Sequence, residues 1–267
     1  MKITPEQEPR SAGIPTGHRP QESALWRGDF RVHSYEIDFK QSATLECLCR
    51  YFQEAAWNHA EALGVGYQRL QAENKIWVLS RLLVKITRYP RWAETIHVHT
   101  WPRVAKSVFA MRDFEMFDSS GERMVAGASA WLLLDTTTRK PQRVDKLASE
   151  IQKSFPDRRA LEQEPQKLGG CESNPADVDV AVRYSDIDVN GHVNNSRYIG
   201  WLMDAHSMDL HRSQTIKSLE VNFLGETVAG DRLSIRSKEA TPGEYWHSMV
   251  KADGAEVCRG RVEWVKL

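Results

Sequence analysis

Apolar and polar residues follow two periodicities along this chain. In two segments the apolar positions recur every three or four residues, which is typical of an amphipathic helix. This spacing predicts a helix over residues 44–63, with Leu45, Phe52 and Ala56 on its apolar side, and a second helix over residues 195–210. Each helix would pack one apolar face against other elements and expose the opposite face to solvent.

Most other apolar segments are short and rich in Val, Ile, Trp, Phe and Thr, and they are separated by Pro, Gly or Ser. These features are typical of β-strands. They predict one strand before and four strands after each helix, in the same order in both halves. The predicted strands cover residues 30–38, 76–89, 94–103, 108–118 and 124–135 in the first half, and 181–186, 215–223, 231–239, 245–252 and 256–266 in the second.

The two halves also share individual residues at matching spacings, which indicates an internal repeat. Each half ends with two glycines and a tryptophan: Gly121, Gly127 and Trp131, then Gly254, Gly260 and Trp264. A long helix and a five-stranded antiparallel sheet pack well when the helix lies across the concave face of the sheet. We therefore expect an α+β tandem (double) hotdog, in which two helix-on-curved-antiparallel-sheet repeats of one chain pair their sheets and bury two edges.

Composition divides the chain further and excludes several classes of protein. Residues 1–27 are expected to form a mobile leader, residues 28–138 the N-terminal repeat, residues 139–178 a linker that only has to connect, and residues 179–267 the C-terminal repeat.

The charge balance argues against a nucleic-acid-binding protein. Lys+Arg and Asp+Glu both number 36, so the net charge is zero and no overall electrostatic field attracts nucleic acid. No apolar run approaches the ~18 residues of a membrane span. The four cysteines lack metal-ligand spacing, so we expect no metal, no cofactor and a cytoplasmic location.

The densest polar cluster lies between a predicted strand and the second helix. Asp188, Asn190 and His192 alternate there, so an extended backbone would place them on one side. The helix start adds backbone N–H donors near Val193 and Asn194. Together these groups could orient a water molecule, remove its proton and hold the oxyanion formed at a carbonyl.

A structural role is the alternative, because Asp and Asn are ordinary residues before a helix. The first half bears on this choice, since it has Asp38, Lys40 and Ser42 at the same three positions. The fold therefore requires neither an amide nor an imidazole there, and capping alone does not explain Asn190 and His192.

The segment from Asp188 to Trp201 resembles the signature of the acyl-acyl-carrier-protein (acyl-ACP) thioesterases of plants and bacteria. Matching segments elsewhere extend the resemblance over residues 30–264; they are residues 34–37, 53–59, 76–78, 89–92 and 100–101. The resemblance implies a tandem hotdog fold and hydrolysis of the thioester between a fatty acyl chain and the phosphopantetheine of the carrier protein.

The same resemblance implies that Asp188, Asn190 and His192 form the catalytic set. The plant branch has a Glu-Cys pair on the next strand, but the matching stretch of this chain reads Asn222-Phe223-Leu224-Gly225 and has neither residue. This departure favours direct attack by water over a thiol nucleophile. Glu226 is a weaker catalytic candidate.

The expected partner is an acylated carrier protein, which is acidic, and a homodimer is possible. Basic candidates for docking that protein are Arg197, Arg139, Lys140 and Arg143. The N-terminal repeat is expected to bind the acyl chain, with Phe52, Ala56, Trp77, Leu79 and Leu83 as candidates for the tunnel lining. Two alternatives remain open: an acyl-CoA thioesterase, and a non-catalytic acyl-binding module on the hotdog fold.

Overall fold

The computed structural model describes residues 24–103, 107–144, 147, 157–172 and 177–267. Most of the predicted leader and part of the predicted linker lie outside the described residues. Within the described ranges, no helix is long and apolar enough to cross a membrane.

The strands form a single antiparallel sheet. The first half contributes β1 (Trp26–Arg31), β2 (Lys75–Ile86), β3 (Thr95–Pro102), β4 (Phe109–Phe117), β5 (Arg123–Asp135) and the short β6 (Pro141–Gln142). The second half contributes β7 (Val178–Ala181), β8 (Gln214–Phe223), β9 (Arg232–Thr241), β10 (Glu244–Lys251) and β11 (Glu256–Lys266). The order is β1-β3-β4-β5-β2-β8-β11-β10-β9-β7, and β6 pairs with β5.

The two halves meet where β2 pairs with β8, from Arg81 opposite Asn222 to Lys85 opposite Ser218. This pairing satisfies backbone groups that two separate repeats would expose at their sheet edges. The prediction of two strand-helix-strand repeats with paired sheets is therefore confirmed.

Two longer helices pack on one face of the sheet. Helix α1 (Leu45–Ala62) confirms the helix predicted over residues 44–63, and it begins after Thr44, whose side chain accepts a hydrogen bond from Cys47 N–H. Two shorter helices, α2 (Tyr67–Ala72) and α4 (Met208–Ser213), were not predicted. Helix α3 (Asn195–Asp204) ends six residues before the predicted boundary at 210, because Ser207 caps a new helix by accepting from Leu210 N–H.

The first strand of each half begins and ends earlier than predicted: β1 covers Trp26–Arg31 instead of residues 30–38, and β7 covers Val178–Ala181 instead of residues 181–186. The chain leaves β1 at Arg31 and β7 at Ala181, and then turns. A carboxylate closes each turn: Glu36 accepts from His33 N–H at 2.7 Å, and Asp186 accepts from Arg183 N–H at 2.8 Å. Because side-chain acceptors compete with strand pairing for backbone donors, the extended conformation ends there.

The repeated glycines mark where each helix approaches the sheet. A Cβ at Gly127 on β5 would lie 2.8 Å from the Phe52 ring of α1, and a Cβ at Gly260 on β11 would lie 2.8 Å from Leu202 of α3. Both contacts are too short for any side chain, so only glycine allows this packing. The glycines repeated in the sequence therefore lie at equivalent helix-to-sheet contacts in the two halves.

The described part of the linker does more than connect the two halves, because its backbone is hydrogen-bonded to side chains of several strands. Asp113 accepts a hydrogen bond from Ala160 N–H at 2.9 Å, Asn222 accepts from Leu168 N–H at 2.8 Å, and Ser248 accepts from Cys171 N–H at 2.7 Å. The three side chains are buried. Residues 157–172 therefore form a polar layer that is hydrogen-bonded to buried side chains on strands of both halves.

Candidate active site

The polar motif of the second half folds as a tight turn, and not as the extended segment predicted. Asp188 N–H donates to the His192 carbonyl at 2.8 Å, and Gly191 N–H donates to the Asp188 carbonyl at 3.0 Å. Gly191 has a φ of +79°, a conformation that glycine adopts without strain. The Asp188 carboxylate accepts from Asn190 N–H at 2.9 Å, which holds the turn closed.

The first half contains the same turn. Asp38 N–H donates to the Ser42 carbonyl at 2.9 Å, and the Asp38 carboxylate accepts from Lys40 N–H at 2.8 Å. One oxygen of Asp188 therefore has a structural role that Asp38 shares. Only the amide of Asn190 and the imidazole of His192 are new in the second half, and neither is needed to form the turn.

The turn presents Asp188, Asn190 and His192 to one cavity of about 300 Å³ at the junction of the two halves. First-half strands β2 and β5 line its other side, for example through Trp77 and Leu132. Asp188 and Asn190 also line a neighbouring cavity of about 170 Å³ between β2, α1 and α2. The structure thus brings the three predicted side chains together at the meeting point of two cavities.

Glu226 lies closer to the motif than the sequence indicated. Its carboxylate is 3.3 Å from His192 Nε2, and it also contacts the Arg139 guanidinium. All three side chains are partly exposed to the larger cavity. In the described structure the His192 imidazole pairs with Glu226, and no hydrogen bond joins it to the Asp188 carboxylate. The carboxylate best placed to orient this imidazole is therefore Glu226.

The predicted oxyanion donors are wrong, because both backbone groups have partners within the fold. Val193 N–H donates to the Thr227 carbonyl at 2.8 Å, and Asn194 N–H donates to the Asp186 carbonyl at 2.9 Å. The first residue of α3, Asn195, has an N–H with no partner in the described structure and lines both cavities. The sequence signal was the helix start itself, which leaves its first N–H groups without intrahelical partners; the two predicted donors lie one and two residues before Asn195.

Four of the five predicted acyl-tunnel residues lie near the site. Ala56 and Trp77 line the 170 Å³ cavity, and Phe52 and Leu79 line a small adjoining void. Leu83 lines none of the described cavities, so that prediction is wrong. A β-bulge between Leu79 and Arg81 shifts the alternation of β2 by one residue, which turns Leu82 toward the helix-facing core instead.

The candidate docking residues differ in their contacts. Arg197 is held by Asp186 at 2.8 Å and Glu46 at 3.0 Å, so it is a structural ion pair and the docking prediction for it is wrong. Arg139, Lys140 and Arg143 are exposed around the β5–β6 turn. Of the three, Arg139 lines the 300 Å³ cavity and forms an ion pair with Glu226. Docking by these three residues stays a prediction.

The corresponding turn of the first half faces a larger cavity, of about 570 Å³. Lys40 occupies the position of Asn190, and its ammonium donates to the carbonyls of His211 at 3.0 Å and Gln214 at 3.2 Å. The amine therefore stabilises the end of α4, where the helix dipole favours positive charge. Because Lys40 and Ser42 stand at the positions of Asn190 and His192, the turn presents neither an amide nor an imidazole to this cavity.

The described parts of the chain favour neither a thiol nucleophile nor a metal site. All four cysteines are buried. Burial raises the pKa of Cys47 to about 12 and raises those of Cys49 and Cys258 further, so these thiols stay protonated at neutral pH. Within the described ranges, no group of three or more His, Cys, Asp or Glu is arranged to hold a metal ion.

Two protein-family models match this chain. The model of the acyl-ACP thioesterase N-terminal domain matches residues 23–152, and that of the acyl-ACP thioesterase C-terminal domain matches residues 172–266. The two models describe the two halves of one family and together cover most of the chain.

Individual proteins give the same result. The chain is 30% identical to palmitoyl-acyl carrier protein thioesterases of Cuphea hookeriana, over 91% of its length, and Arabidopsis thaliana, over 93%. It spans 63% and 66% of the lengths of those two chloroplastic relatives.

Solved structures match over nearly their whole length. An acyl-ACP thioesterase from Bacteroides thetaiotaomicron has a TM-score of 0.83 and 28% identity, covering 91% of this chain and 98% of that one. The 12:0-ACP thioesterase from Umbellularia californica has a TM-score of 0.83 and 27% identity, covering 92% and 99%.

Proposed function

The chain belongs to the acyl-ACP thioesterase family, and we propose that it hydrolyses acyl-ACP to a free fatty acid and the thiol of the carrier protein. The observation that carries the proposal is the cavity at the junction of the halves. There the second half supplies a carboxylate, an amide and an imidazole, while the first half supplies an apolar wall. A thioester bound at this junction would have its carbonyl beside the polar groups and its acyl chain beside the wall.

The reaction follows from this arrangement. His192, oriented by Glu226, accepts a proton from water as the water oxygen bonds to the thioester carbonyl carbon. The oxyanion forms near the free N–H of Asn195 and the positive end of α3. As the tetrahedral intermediate collapses, the carbon–sulfur bond breaks and the departing sulfur takes the proton from His192. One water and one thioester give one carboxylic acid and one thiol.

The remaining motif residues have positioning roles in this proposal. Asp188 holds the turn through one carboxylate oxygen, which fixes Asn190 beside the reacting groups. The Asn190 amide positions the water or the thioester oxygen. Because a thiolate is a good leaving group, the sequence of steps requires no stronger acid than the imidazolium.

The carrier protein is the preferred substrate in this proposal, and acyl-CoA is the second candidate. Arg139, which lines the cavity, and its exposed chain neighbours Lys140 and Arg143 suit an acidic protein surface. The cytoplasmic location and the homodimer stay predictions.

A thiol-release assay tests the proposal directly. The same acyl group is presented on carrier protein and on CoA, at low and at high salt. We expect hydrolysis of both and a preference for the carrier protein that weakens as salt screens the docking charges. Equal efficiency on both substrates at low salt would favour an acyl-CoA thioesterase, and binding without hydrolysis would favour an acyl-binding module.

A further inference from the structure

The first half holds a structural counterpart of the active-site cavity. The matching turns of the two halves face the 570 Å³ cavity and the 300 Å³ cavity, respectively. Tyr89 follows the end of β2 and lines the 570 Å³ cavity, while Glu226 follows the end of β8 by the same number of residues and lines the other. Ile216 on β8 and Leu79 on β2 are equivalent in the same way, and each lines one of the two cavities. The internal repeat therefore extends from the turn to the whole pocket.

This second pocket, the cavity of about 570 Å³, lacks the groups assigned to hydrolysis. Its turn has Lys40 and Ser42 in place of the amide and the imidazole, and Tyr89 stands where the active site has Glu226. Cavities of about 300–1,000 Å³ with apolar walls and a few polar groups are typical of small-molecule sites. The second pocket has such a wall, formed by Leu45, Met203, Met208, Ile216 and Trp264.

Two cations line the second pocket without an acidic partner. The Lys40 ammonium has three N–H donors, and two of them are used by the carbonyls of His211 and Gln214. Arg91 lines the same pocket, and its backbone pairs with that of Ser42 in the turn, so the two cations lie on neighbouring segments of backbone. In the part of the chain that the structure describes, no carboxylate forms an ion pair with either of them.

The other charged side chains of this wall are engaged or exposed. The Asp38 carboxylate accepts from two backbone N–H groups of its own turn, at 2.8 Å and 3.3 Å. Arg88 pairs with Glu94 at 2.7 Å and with Asp118 at 3.0 Å. Asp204, on α3, is exposed to solvent. Lys40 and Arg91 are therefore the cations that can offer their charge to a bound anion.

We propose that the second pocket is a non-catalytic site that binds a free fatty acid, with the carboxylate at Lys40 and Arg91 and the chain along the apolar wall. A carboxylate forms charge-assisted hydrogen bonds with both cations, which a neutral thioester or alcohol does not match. The identity of the ligand rests on the proposed function, because a fatty acid is the product of that reaction. The reaction site and the second pocket would then bind the same acyl group in its two chemical forms, as thioester and as acid.

Equilibrium dialysis with labelled dodecanoate tests the proposal. A carrier protein that bears a dodecyl group through a non-hydrolysable thioether occupies the active site in a parallel sample. We expect one dodecanoate per chain to stay bound in that sample, and neutral dodecanol to bind the same site about tenfold more weakly, the effect of a hydrogen bond to a charged group.

Variants of the two cations identify the site. Arg91→Gln and Lys40→Gln should each raise the Kd of the remaining dodecanoate by about tenfold. Arg91→Gln keeps the test valid if Lys40→Gln, which alters contacts to the end of α4, fails to fold. The matched control is Lys217→Gln, which removes an exposed lysine of β8 that pairs with Glu263 at 3.6 Å and does not line the pocket. Its Kd should equal that of the wild type.

A crystal structure with 12-bromododecanoate locates the ligand independently. We expect bromine in the second pocket. Bromine confined to the cavities around Asp188, or a protein segment of this chain or of a second copy in the second pocket, would overturn the inference. So would complete displacement of dodecanoate by the thioether carrier protein, or equal binding of dodecanol. Absence of thioester hydrolysis together with bromine in the second pocket would refute the proposed function and leave the fatty-acid site standing.

Discussion

Two histidines that pack against each other in the second half should make this protein sensitive to mild acid. His206 follows α3 and His247 lies on β10, with their ring centroids 5.0 Å apart. The Nε2 atoms of both are buried and have no hydrogen-bond partner in the described structure. The other rings in contact with His206 belong to His211, Tyr245 and Trp264, none of which carries negative charge at neutral pH. A proton added to either histidine would therefore create a buried, uncompensated charge.

The size of the effect follows from the pKa values. Burial lowers the pKa of His206 from 6.5 to about 4 and that of His247 from 6.5 to about 3. Between these values the unfolded chain binds more protons than the folded one, so the free energy of unfolding falls as pH drops below 6.5. At about pH 5 each histidine lowers the free energy of unfolding by about 2 kcal/mol, or about 4 kcal/mol together. That is a large share of the roughly 5–15 kcal/mol typical of a folded protein.

Urea unfolding at neutral pH and at about pH 5 measures this loss. The informative variant is His247→Gln, because glutamine can keep the hydrogen bond that His247 Nδ1 makes with Ser237 Oγ at 2.9 Å. The variant should lose about 2 kcal/mol less than the wild type between the two pH values. His33→Gln, at an exposed position, is the control for removing a histidine. A variant with the same pH dependence as the wild type would show that His247 titrates normally and that the reasoning is wrong.

Three further predictions concern the site and the packing. Asn190→Ala and His192→Ala should each lower turnover by about a hundredfold with little loss of stability, whereas Lys40→Ala should leave the hydrolysis rate nearly unchanged; wild-type rates in both motif variants would refute the assigned site. Ala56→Leu should shift the substrate preference toward shorter acyl chains by filling the smaller cavity, and an unchanged chain-length profile in the folded variant would place the acyl chain elsewhere. Gly127→Ala should destabilise the protein by about 1–3 kcal/mol in urea unfolding, because the new methyl group collides with Phe52; an unchanged midpoint would contradict the close helix-to-sheet contact.

Much of the fold could be predicted because local signals agree with it. Thr44 is a good N-cap before an apolar period of 3.6, and α1 begins directly after it. The spacing of Gly127 and Gly260 revealed the repeat because both halves need the same close approach of helix and sheet. The clustering of Asp188, Asn190 and His192 was predictable for a similar reason, since residues within five positions of one another remain close in almost any local conformation.

Other features depend on partners that are distant in the sequence, and only the tertiary structure decided them. Val193 N–H is satisfied by Thr227, and Arg197 is held by Glu46 of the other half, so neither is available for the role that the sequence suggested. The pairing of Glu226 with His192 joins residues from two separate loops. A one-residue bulge in β2 turned Leu83 away from the helices, because the two faces of a strand exchange whenever one residue is added. Local propensity describes each segment alone, whereas hydrogen-bond partners and side-chain directions are fixed only when the segments pack together.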